Sequence, residues 1–284
     1  MKKVNYKLAK VNIIENIFTD DENIDKIILE EIPNQIFSYT DFNKYYEEKI
    51  TIHNEKSVIQ WSFTDLKRIN ENCIKGNLAK IFPLKVTTEV DKKTSSKEFD
   101  DIYETLTVSF YYFINEEIIA YRNHNNISSK KFKTIFKELL KLGDSSVLIG
   151  EVDIITVSNS ESLKQVLFSK TSQIKSIQLT ILRPNRPKNT AEEIDKLMKE
   201  MKSNVTSLKF ESEDDSLNAD NDLVHETLNR TESGRAKLTA FVKTIYGSYQ
   251  KFSSSSSPQQ AHVPEEIEDE NSISDTIYSQ IPKD

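Results

Sequence analysis

The chain has 284 residues, 37% of them hydrophobic and 29% charged, with a net charge of −7 and a single cysteine. That length holds one large or two ordinary domains around a buried core, and no run approaches the ~18 apolar residues of a membrane span. The negative charge is concentrated in residues 258–284, where seven acids stand against Lys283, so the nearly neutral remainder can still carry a basic patch.

The first residues alternate, with Val4, Tyr6 and Leu8 followed by Val11 and Ile13. That is the period of a β-strand, not the apolar block of a signal peptide. With Cys73 alone there is neither a disulfide framework nor a thiolate zinc cluster, and the chain reads as cytoplasmic. Thr19 with Glu22 makes a capping box for a helix carrying Ile24, Ile27, Ile28 and Ile32, which Pro33 is expected to end. "KITIHN" and "SVIQWSF" read as strands. Thr64 caps a predicted helix, "DLKRINENCIK", that buries Leu66, Ile69 and Cys73 and stops at Gly76. "LAKIFPLKVTTEV" is extended, with Pro83 marking an edge or bulge.

"LTVSFYYFINEEIIAYRN" reads as a hairpin about Asn115–Glu117. Its first strand is apolar on both faces, which predicts a central position, with an aromatic base-stacking platform as the functional alternative. Ser128 or Ser129 caps the next helix, whose Phe132, Ile135, Phe136 and Leu139 form one face. Lys130, Lys133, Lys137 and Lys141 line the other, either as a solvated face or as a stripe that contacts phosphates. After "GEVDIITV" and a short helix comes the strand "IKSIQLTIL". It runs into "RPNRPK", where two prolines stiffen a loop presenting Arg183, Arg186 and Lys188. The β-α-β-α-β order that follows suggests a ferredoxin-like sandwich, and the serine run with its acidic sequel predicts disorder. Ile273, Ile277, Tyr278 and Ile281 are candidates for a short docking segment.

Catalytic signals are sparse. Glu151 and Asp153 on one strand face, with Gln173 and Lys175 beyond the intervening helix, are the residue types of a metal-dependent nuclease, in which carboxylates hold a cation and a lysine orients water. A second such set, Asp41 with "EEK" at 47–49, falls in a segment that reads as helical. The five glycines form no phosphate-cradling loop, and the four histidines have no metal spacing. His124 reads as a turn residue.

The layout resembles the Rex-type phage-exclusion proteins. The features it shares are a β-rich half, the hairpin "FYYFINEEIIAYRN" leading into a helix, strands around "GEVDIITV", and "SIQLTILRPNRPKN" followed by a helix, over roughly residues 58–202. The resemblance implies a DNA-binding homo-oligomer that acts with a membrane or effector partner in abortive infection. The expected class is α+β, with a β-rich N-terminal domain at 1–172, a ferredoxin-like domain at 173–252 and a disordered acidic tail at 253–284. The expected function is non-enzymatic binding of nucleic acid, duplex DNA first, through Lys130, Lys133, Lys137, Lys141, Arg183, Arg186 and Lys188, with no cofactor or metal. A nuclease built on Glu151, Asp153 and Lys175, or an adaptor that binds through its tail, are the alternatives.

Overall fold

Two antiparallel sheets and their helices make an α+β molecule. The structure is a computed structural model that describes residues 2–14, 21–40, 44–52, 55–90, 97–142, 149–169, 172–183, 193–243 and 247–282. β1 (Lys3–Ile13) is followed by α1 (Asp21–Lys26), a π-helical turn at Ile27–Glu31 and α2 (Ile32–Phe37). Pro33 therefore does not end the helix as expected. It sits in the first turn of α2, where its missing N–H costs nothing. Thr19 lies outside the described residues.

The next four strands are β2 (Tyr46–Ile52), β3 (Glu55–Asn70), β4 (Cys73–Val90) and β5 (Lys97–Phe113), followed by β6 (Ile118–Arg122). With β12 (Gln260–Pro264) they form a sheet in the order β12-β1-β6-β5-β4-β3-β2. β7 (Val152–Thr156) pairs with the second half of β1. The expected helix at 65–75 is instead the β3–β4 hairpin. Asp65 has φ +50° and the register shifts between Thr64 and Lys67, so a bulge puts Phe63 and Leu66 three residues apart against one core. That spacing imitates a helix. Glu47–Lys49, also expected to be helical, belong to β2. Pro83 lies just past Ile81, the last β4 residue paired with β3, which is the edge position foreseen for it.

The β5–β6 hairpin and the central position of β5 are as expected. Phe110, Tyr111, Tyr112 and Phe113 are all buried, so they are core and form no base-stacking platform. α3 (Ser129–Lys141) packs on this sheet, with Ser128 accepting from the Lys131 N–H as N-cap. Phe136 lies 4.8 Å from Phe63 and 5.2 Å from Phe110, and Phe132 stacks on Tyr121 at 4.2 Å. Each such ring contributes roughly 1.5–3 kcal/mol by leaving water. Gln35 donates to the carbonyls of Leu139 and Leu142, and the Tyr39 hydroxyl donates to Leu139, which satisfies the open C-terminal end of α3.

The second sheet follows α4 (Glu161–Leu167). It comprises β8 (Gln173–Leu182), β9 (Val205–Glu211), β10 (Ala236–Lys243) and β11 (Tyr249–Ser253), in the order β11-β10-β8-β9. α5 (Glu193–Glu200) connects β8 to β9, and α6 (Asp222–Glu232) connects β9 to β10. β9 and β10 are both antiparallel to the β8 strand between them, which makes one split β-α-β unit. A ferredoxin-like sandwich has two, and β8–α5–β9 joins antiparallel neighbours, so that expectation holds only in part.

The expectation of a disordered tail is overturned. β12 pairs with Lys3–Lys7 of β1, and α7 (Glu270–Tyr278) packs Ile277 beside Leu8, Ala261 and Val263. A serine run with acids lowers mean hydropathy, but Ala261, Val263, Ile277 and Ile281 are enough to seal an edge that β1 already presents.

Candidate nucleic-acid interface

The lysine face of α3 does not look into open solvent along its whole length. Lys137 and Lys141 both reach Glu151 Oε1, at 3.3 and 3.4 Å, and Lys133 donates to Thr156 Oγ1 at 2.5 Å. Four like charges on one helix line call for an anion, and the protein supplies one of its own. The hydrogen bond from Lys137, reinforced by Lys141, holds the Glu151 carboxyl below its usual range. Lys130, at the N-terminal end of the stripe, stays exposed.

The proline-stiffened loop contributes less than expected. Arg183 is only 9% exposed and its backbone N–H is bound to the Asn204 carbonyl, so its side chain is packed and not displayed. Arg186 and Lys188 lie outside the described residues. The nuclease set does not assemble either. Asp153 Oδ2 accepts from Lys237 Nζ at 2.7 Å, whereas Lys175 Nζ donates to the carbonyls of Glu213, Asp214 and Asp215 at 2.9–3.1 Å. Lys237 stands opposite Thr180, five positions along β8 from Lys175, which is about 17 Å of strand. Among the described residues no group of three or more His, Cys, Asp or Glu is arranged to hold a metal. His124 Nδ1 accepts from the Asn126 N–H, a turn contact.

The structure does create a corner of positive charge that the sequence did not announce. Lys133 from α3 and Lys237 from β10 meet Thr156 and Asp153 of β7, and Lys7 from β1, whose Nζ donates to Ser129 Oγ, adds its charge beside Lys133. Burial, followed by the charge of Lys237, pulls the Lys133 ammonium down to about 8, with Asp153 partly opposing it. Three cations against one carboxylate leave the corner short of negative charge.

The corner opens onto the uncovered face of the second sheet. α4 and α6 bury Leu163, Leu167, Val224 and Leu228 against Ile177, Leu179, Leu238 and Ala240, and among the described residues no helix packs on the opposite, bare face. Register places Ser207, Thr180 and Lys237 in one row on that bare face, Lys209, Gln178, Thr239 and Ser253 in the next, and Glu211, Ser176, Phe241 and Lys251 in the third. Lys243 and Tyr249 follow as a cross-strand pair. Two of its lysines are ion-paired, Lys209 with Glu211 at 2.8 Å and Lys237 with Asp153 at 2.7 Å. Lys243 and Lys251 form no ion pair with a described residue. "AKLTAFVK" carries the signal for this face in its alternation, since Lys237, Thr239, Phe241 and Lys243 share one side.

The chain belongs to DUF4747, a domain of unknown function, which it matches over residues 31–281. The matched span takes in the second sheet, the first sheet apart from β1, and Lys133, Asp153 and Lys237 of the charged corner. No curated protein matches the chain. Among the described residues no helix is long and apolar enough to cross a membrane.

Proposed function

We propose that this DUF4747 member is a non-enzymatic nucleic-acid-binding component of bacterial or prophage antiviral defence. One observation carries the binding half of this reading. The bare face of the second sheet holds Lys209, Lys237, Lys243 and Lys251 and meets the α3 stripe at Lys133, one helical turn from the exposed Lys130. The protein is acidic overall, so concentrating cations on one face focuses an attractive field where a polyanion would dock. The defence half rests on the likeness in layout to Rex-type proteins, as do self-association and a membrane or effector partner.

Salt dependence tests the binding. Each phosphate that a lysine neutralises contributes about −0.9 to the slope of log affinity against log salt. Replacing Lys130, Lys243 and Lys251 together with alanine is expected to weaken binding and flatten that slope by up to about 2.7. An unchanged slope, or no binding by the parent at low salt, overturns the reading. A plaque assay in a host expressing the chain tests the defence role separately, and unaltered plating by a broad phage panel counts against it.

A further inference from the structure

The same bare face carries two aromatic rings that the hydrophobic core does not use. Phe241 on β10 is 36% exposed and Tyr249 on β11 is 65% exposed. The pairs Phe241–Lys251 and Lys243–Tyr249 put both rings and both ammonium groups on one side of adjacent strands. The rings are therefore diagonal cross-strand neighbours, about 7–8 Å apart at their backbones. Lys251 Nζ stands 5.9 Å from the centre of the Phe241 ring, and neither ring packs on another ring among the described residues. Around them the surface is polar, with Gln178, Thr239 and Ser253 in the next row.

Two exposed rings on a charged, otherwise polar sheet face are apolar area that a flat partner would take out of water. The neighbouring cations show what charge that cover carries. A planar, stackable group attached to a polyanion is an unpaired nucleotide. Duplex DNA keeps its bases stacked inside and would leave both rings wet.

We propose that this face binds single-stranded nucleic acid. Successive bases stack on Phe241 and Tyr249, and the backbone phosphates run along Lys251 and Lys243 toward Lys209, Lys237 and the Lys133 corner. Gln178, Thr180, Thr239 and Ser207 lie within the footprint as hydrogen-bonding groups for base edges and sugars. This deepens the nucleic-acid reading and rests on it, but it replaces the duplex expected from sequence with an unpaired strand.

The test uses the full chain with fluorescein-labelled 20-nucleotide strands of mixed sequence, as DNA and as RNA, and with the duplex of the same sequence. Anisotropy is read at several salt concentrations. The parent is expected to bind at least one single strand about tenfold or more tighter than the duplex. Phe241→Ala with Tyr249→Ala is expected to lower that affinity about 10- to 100-fold while leaving the salt slope unchanged, because no charge is removed. Phe241→Tyr with Tyr249→Phe is expected to restore binding, which separates stacking from a folding defect. Duplex bound as well as single strand, or full affinity in the double alanine variant, overturns the platform while leaving the general reading intact. No binding to any of the three probes removes both.

Discussion

Lys133 is the residue at which burial and charge conflict most clearly. Its ammonium sits among Lys237 and Lys7, with Asp153 as the compensating acid, and titrates near pH 8. An exposed lysine titrates near 10.4, so the unfolded chain holds this proton more tightly than the folded one does. The folded state therefore carries a full penalty below about pH 8, and the penalty is relieved as pH rises from there toward about 10.4. Lys133→Met keeps the aliphatic length and removes the charge. The variant is expected to melt higher than the parent at pH 7, with the advantage shrinking toward pH 10. Equal or lower melting at pH 7 would mean that the hydrogen bond to Thr156 outweighs the charge penalty. A docked phosphate acts in the opposite direction to burial, since it restores the missing anion and pulls the group back toward its protonated form.

Among the elements, the returning segment β12–α7 shows how a polar stretch becomes structural. The serine run is its bridge. Ser254 Oγ accepts from the Leu238 N–H, the Ser254 carbonyl accepts from Ser158 Oγ, and the Ser257 carbonyl accepts from the Asn159 N–H, which carries the chain from the second sheet to the first. Asp269 then caps α7 through the Ser272 N–H, and hydrogen bonds to that residue hold its carboxyl below the usual range. Glu270 bonds Lys67 and Lys75. The exposed ion pairs are expected to matter little and the buried isoleucine a great deal. In urea unfolding, Ile277→Ala should cost about 2–5 kcal/mol, whereas Glu270→Gln should cost less than about 1 kcal/mol. A larger loss from Glu270→Gln would make charge, not apolar burial, the clasp.

This segment also shows what the sequence made legible. Ile273, Ile277, Tyr278 and Ile281 stood out as a docking stripe, but their acceptor is β12 with the first-sheet face that carries Leu8, Tyr111 and Phe113, far back in the chain, and no local pattern encodes that packing. The α3 helix, its cap and its lysine stripe were legible because they depend on neighbours four residues apart. The β3–β4 hairpin was not, because the bulge at Asp65 produced helical spacing in a strand. Gly76 was read as a helix stop, yet it serves close packing, since a Cβ there would lie 2.8 Å from Phe110 Cζ.

At the scale of the whole molecule, the two sheets meet along a polar seam that also shapes the charged corner. Asn12 Nδ2 donates to the Gly234 carbonyl at 3.0 Å, the Ser158 N–H donates to the Thr231 carbonyl at 3.0 Å, and Asn204 donates to the Ile14 carbonyl. Gly234 has φ +72°, and a Cβ on it would stand 2.7 Å from the Lys10 Cβ, so only glycine lets the strands approach this closely. The Lys237–Asp153 contact of the seam lies within the proposed footprint, and this gives Asp153 opposite fates under the two competing functions. In a metal-dependent nuclease Asp153→Asn removes a cation ligand and abolishes cleavage. In a binding protein it removes the acid that competes with phosphate for Lys237 and Lys133. Asparagine keeps the size and a hydrogen-bonding oxygen, and the pair is partly exposed, so the fold is expected to survive. We therefore expect Asp153→Asn to bind single-stranded nucleic acid more tightly than the parent at pH 6.5, where Lys133 is protonated. Its salt slope should be steeper by up to about 0.7 for each lysine released to a phosphate of the single strand. Plasmid nicking with magnesium or manganese should be absent from both proteins. Nicking by the parent that vanishes in the variant would instead make Asp153 a metal ligand, and weaker binding by the variant would assign the pair to structure alone.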